Sequence, residues 1–76
     1  MRLPAVEAQT VIKILQLEGY QNIRQSGSHI QFKNGNGTVI TVPLHAGRPI
    51  GKGLLRKIIR DMEISREEFI ALLKRV

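Results

Sequence analysis

Residues 28–42, "SHIQFKNGNGTVITV", constrain the fold more than any other stretch of the chain. Before the tetrapeptide "NGNG", Ser28, Ile30 and Phe32 point one way and His29, Gln31 and Lys33 the other. After it comes the β-branched run "TVITV". Asn34 to Gly37 tolerate positive φ, so the pattern predicts a β-hairpin. The alternation places His29 on the polar side of that hairpin, and the apolar side needs a cover.

Helical patterns flank the hairpin and supply the cover. Pro4 and Gly19 bracket a segment in which Ala8, Val11, Ile12 and Leu15 recur at helical spacing. A short edge strand is expected around Asn22 to Gln25, though its pattern is weak. Pro43 to Gly53, "PLHAGRPIGKG", reads as a loop by its prolines and glycines. Leu54, Leu55, Ile58, Ile59 and Met62 then mark the apolar face of a second helix, with Arg56, Lys57 and Arg60 opposite. In "ISREEF", Ser65 and Glu68 have the spacing of a capping box and Ile64 can staple to Phe69. A third helix is expected to bury Phe69, Leu72 and Leu73, with Val76 as a further candidate. The order is helix, two or three antiparallel strands, helix, helix. This is an α+β fold with the helices on one face of the sheet and the other face open.

At 76 residues the chain is expected to be one domain, residues 1–76, with a core supplying only ~3–5 kcal/mol of net stability. It has no cysteine, so neither a disulfide nor a thiolate metal site can support it. "MRLPAVEAQTVIK" holds no uninterrupted apolar run, and no transmembrane segment is visible. A soluble, cytoplasmic protein is the expectation.

The net charge is +6 and it is unevenly spread. No acidic residue lies between Gly19 and Arg60, whereas Arg24, Lys33, Arg48, Lys52, Arg56, Lys57 and Arg60 all do. A block of one sign repels itself and suits a polyanionic partner. RNA and DNA fit better than a membrane, because no helix pairs a basic face with interfacial Trp or Phe. A basic surface without a partner remains open on charge alone.

Several chemistries are disfavoured. Two histidines with no thiolate or nearby carboxylate give at most two metal ligands, so no metal or other cofactor is expected. "SGSH" lacks a carboxylate nearby in sequence to orient the imidazole, so Ser26 and Ser28 read as turn and strand residues rather than nucleophiles. "GNG" and "GKG" match no nucleotide-binding glycine loop. A histidine among cations is left, and cations favour the neutral imidazole that can accept a proton. RNA carries its own nucleophile, the 2′-hydroxyl, so such a base needs no metal or serine. On the residues alone two readings of His29 stay open, a strand histidine facing water and a general base. His45 reads first as an ordinary loop residue.

The chain resembles the HicA toxins of bacterial and archaeal HicAB toxin-antitoxin modules. The Gly-aromatic pair closing the first helix is matched by Gly19 and Tyr20, and a Gly-Ser-His signature by Gly27, Ser28 and His29. A Val-Pro-x-His element is matched by Val42, Pro43 and His45. A Gly-Thr-Leu-Arg-x-Ile helix start is matched by Gly53, Leu55, Arg56 and Ile58, with Leu54 where threonine is usual. Glu63 stands where a glycine often separates the last two helices. The resemblance implies a double-stranded-RNA-binding-domain-like fold and an mRNA interferase with His29 catalytic. Under that reading Gly27 and Ser28 position the backbone beside a phosphate, and His45 is a candidate second acid or base. Lys33, Lys52, Arg56, Lys57, Arg24 and Arg48 would hold RNA, and a HicB-type antitoxin would cover the site. The alternative is a non-catalytic double-stranded-RNA-binding module, which needs the cations and not His29.

Overall fold

The computed structural model describes residues 2–45 and 47–76. Its elements are α1 (Ala8–Leu17), β1 (Gln21–Ser26), β2 (His29–Lys33), β3 (Val39–Pro43), α2 (Lys52–Asp61) and α3 (Arg66–Leu73). This is the expected α+β order of one helix, a three-stranded antiparallel sheet and two further helices.

The hairpin forms where its pattern places it. Strand β2 pairs with β3 from Lys33↔Val39 through Gln31↔Thr41 to His29↔Pro43. In the connecting turn the Asn34 carboxamide oxygen accepts from the Asn36 and Thr38 amides at 3.0 and 2.9 Å, and Gly37 takes φ +85°. Ile30, Phe32, Ile40 and Val42 all point into the core, which contains no buried polar or charged residue among those described. The core face is covered by α1 and α2 against β3, and α1 also packs on α3. His29, Lys33 and Thr41 stay exposed on the other face.

Strand β1 completes the sheet as an edge in the order β1-β2-β3. All six of its residues are exposed, which is why its pattern is so weak in sequence. Its register slips between Asn22 and Arg24, leaving Ile23 as the extra residue of a bulge. Such a bulge twists an edge away from pairing with other chains.

The helices differ from expectation in instructive ways. Helix α1 begins at Ala8, not beside Pro4, because Glu7 is extended and, with Val6, finds its partners elsewhere. Val6 accepts a hydrogen bond from the Ile50 amide at 2.7 Å, and Glu7 bridges Pro49. Leu3, Val6 and Ile50 are buried there, so the basic loop after β3 is tied down at its far end. Ile14 is fully buried, whereas Ile12 packs only partly against the core. Val76 is exposed beyond the end of α3 and adds nothing to the core, while Leu73 is half-buried. Ser65 and Glu68 form the expected capping box at the start of α3.

Both α1 and α2 end in a Schellman turn. After α1, Gly19 at φ +89° donates to the Gln16 carbonyl and Tyr20 to that of Leu15. After α2, Glu63 donates to Arg60 and Ile64 to Ile59 in the same pattern. Glu63 adopts φ +59° and is the one non-glycine with positive φ among the described residues. The turn that usually uses glycine is therefore made without it. No helix among the described residues is long and apolar enough to cross a membrane.

Candidate functional site

His29 is positioned by the tight connection between β1 and β2. Ser26 pairs with His29, so Gly27 and Ser28 form a two-residue loop between them. Gly27 has φ +58° while Ser28 does not adopt positive φ, the pattern of a type II′ turn, which requires glycine first. A Cβ on Gly27 would meet open space, so its requirement is conformational rather than steric. Ser28 belongs to this turn and Ser26 to the strand, the reverse of the order expected. The Ser28 carbonyl accepts from the Leu44 amide, which locks the turn to the end of β3. His29 thus starts its strand from a rigid corner, with an exposed imidazole.

Beside it, along the edge strand β3 where helix α2 packs against it, lies a cleft of about 230 Å³. His29, Thr41, Pro43, Leu54, Lys57 and Asp61 are among its lining residues. The Lys57 ammonium lies 2.6 Å from the Asp61 carboxylate, one helical turn on. Both side chains keep access to solvent, so this pair contributes at most about 1 kcal/mol to stability. An imidazole, an ammonium and a carboxylate on one small cleft suit proton transfer next to an anionic centre.

Asp61 corrects the expectation of an acid-free setting for His29. Sequence distance hid it, because Asp61 follows the block between Gly19 and Arg60 and reaches the cleft only through the packing of α2 on β3. Its i,i+4 spacing from Lys57 was the available signal. Leu54 lines the same cleft and does not cap α2, whose N-cap is Gly51 with no side-chain hydrogen bond.

The other candidate residues are dispersed. Arg24 stands opposite Gln31, which itself stands opposite Thr41, so the three form a row across the open face. Lys33 ends β2 about 13 Å from His29 at the usual strand rise, beside Ile23 and Asn34. Arg56 does not share the His29 cleft; it lines a separate groove on the other flank of α2 with Ile59, Arg60 and Arg66. Lys52 and Arg48 are exposed at the start of α2 and in the loop before it. His45 is exposed too, but it faces a different depression with Glu7, Gln9 and Leu44. The two histidines are therefore not brought together in one cleft. Among the described residues no three or more His, Asp or Glu side chains gather in a way that could hold a metal ion.

A family model described as the HicA toxin of bacterial toxin-antitoxin modules matches residues 8–64. The chain belongs to the HicA toxin family. The match starts at the first residue of α1 and closes on the turn after α2, so it includes His29, Lys57 and Asp61 and leaves α3 outside. Membership assigns the chain to the toxin side of a toxin-antitoxin module, whose other member is an antitoxin. A search of curated proteins finds no match to this HicA-family chain.

Proposed function

We propose that this HicA-family toxin is a metal-independent endoribonuclease acting on messenger RNA in the cytoplasm, with residues 1–76 working as one RNA-binding and RNA-cleaving domain. The observation that carries the reading is the exposed His29 imidazole on a cleft that it shares with the Lys57 ammonium. His29 takes the proton of a 2′-hydroxyl, the freed oxygen attacks the adjacent phosphorus, and the bond to the 5′-oxygen breaks. A 2′,3′-cyclic phosphate and a 5′-hydroxyl result. Gly27 and Ser28 hold His29 and the backbone beside the phosphate, and Lys57 faces the charge that builds on it.

Arg24 and Lys33 extend the cationic track over the open face of the sheet, with Arg48, Lys52 and Arg56 gripping phosphates beyond it. A HicB-type antitoxin inhibits by presenting acidic groups to these cations in place of phosphates.

The test compares the chain with His29→Ala in cells and on purified RNA. His29 is exposed, so the variant should keep its fold, which circular dichroism checks. Loss of a general base should slow cleavage by about 10²–10⁴-fold and relieve growth arrest. Cleavage should persist with chelator present. Equal cleavage by both forms would take His29 out of the reaction, and equal toxicity with no cleavage by either would favour a non-catalytic double-stranded-RNA-binding module.

A further inference from the structure

Cleavage by this route needs a second proton transfer. The departing 5′-oxygen leaves as an alkoxide unless a group in the cleft protonates it, and His29 is then occupied with the proton it has taken. His45 faces another depression and does not share the cleft. Thr41 offers only a weakly acidic hydroxyl, and Asp61 is already the acceptor of the Lys57 ammonium, so neither is suited to supply the proton. Lys57 remains. Its ammonium carries three donors, of which one serves Asp61 at 2.6 Å and two are left for a substrate.

We propose that Lys57 is the general acid of the cleavage reaction and that Asp61 is the residue that positions it. This rests on the endoribonuclease reading and adds the partner that His29 lacks. The protons balance. His29 accepts one from the 2′-hydroxyl as the O2′–P bond forms, and Lys57 gives one to O5′ as the P–O5′ bond breaks. The imidazolium then returns a proton through solvent to the lysine amine, and both groups are reset. The alkoxide is a far stronger base than an amine, so transfer from the ammonium runs downhill.

Asp61 matters because a lysine head rides on a flexible four-carbon stem. Its carboxylate, one turn along α2 and only partly exposed, holds the ammonium at the wall of the cleft that both residues share with His29.

The experiment uses two oligoribonucleotides, one ordinary and one whose scissile 5′-oxygen is replaced by sulfur. A thiolate leaves without being protonated, so this substrate has no need of a general acid. Lys57→Arg keeps the charge but holds its proton too tightly to donate it. In single-turnover assays at saturating protein, Lys57→Arg should lose about 10²–10⁴-fold on the ordinary RNA and stay within about tenfold of wild type on the sulfur substrate. Asp61→Asn should show the same pattern with a smaller loss, and Asp61→Glu should restore cleavage. His29→Ala should be impaired on both substrates.

Equal loss by Lys57→Arg on both RNAs, or no loss on either, would overturn the acid role. Equal loss by Asp61→Asn on both would overturn its positioning role. Cleavage of ordinary RNA by His29→Ala at the wild-type rate would overturn the endoribonuclease mechanism itself, a result separable from any result at Lys57. Wild-type protein that cuts neither RNA would overturn both.

Discussion

Tyr20 shows how one side chain ties local structure to stability. It follows the Schellman glycine of α1, is buried, and is hydrogen-bonded to the side chain of Asn34 in the hairpin turn. Burial raises its pKa above the ordinary value of 10.0; the Asn34 hydrogen bond pulls it down, while Glu18, Glu63 and Asp61 push it further up. The folded state therefore holds the neutral phenol more tightly than the unfolded chain does. That stabilisation is complete below the unfolded value near 10 and is lost as pH rises through the folded value. Tyr20 is the single tyrosine and the chain has no tryptophan, so tyrosinate absorbance reports this group alone. The native protein should titrate at higher pH than the urea-unfolded chain, and coincident titrations would show that the ring is not buried in solution. The Gly19-Tyr20 pair is visible in the sequence. The contact that makes Tyr20 informative joins residues that only the folded chain brings together.

Among the elements, the two Schellman turns are nearly the same device built from different residues. Gly19 adopts positive φ without steric penalty, whereas Glu63 brings its Cβ close to the carbonyl in the left-handed region. Its carboxylate also sits at the negative end of the α2 dipole. Glu63→Gly should therefore stabilise the fold by about 0.5–1 kcal/mol after allowing for glycine's greater freedom in the unfolded chain. Thermal melting should register a rise of roughly 2–8 °C for a domain of this size. A fall would mean that the Glu63 side chain makes a stabilising contact that outweighs its backbone strain. The helices and the capping box were readable because their signals lie within one or two turns of chain. The late start of α1 was not, because it depends on the Ile50 amide meeting Val6 across the molecule.

Across the whole molecule, the cations of the one acid-free segment are spread over more than one face. The acid-free central block supplies the open face of the sheet with Arg24 and Lys33, yet it also sends Arg56 to a groove on the other flank of α2. If RNA follows the open face, its affinity should fall linearly with salt on logarithmic axes. In a His29→Ala background, which separates binding from cleavage, Lys33→Ala should lower that slope by about 0.7 for single-stranded RNA. An unchanged slope would take Lys33 off the RNA path.

The sequence by itself determined the order of elements, the hairpin, the inward and outward faces of β2, and the exposure of His29. These follow from periodicity and from short-range turn and cap chemistry. Only the tertiary structure decided that Lys57 and Asp61 share a cleft with His29 while His45 and Arg56 do not. Those relations depend on where α2 lies along the edge strand β3, and that placement is settled by the packing of the whole core around Leu55, Ile58, Ile40 and Val42.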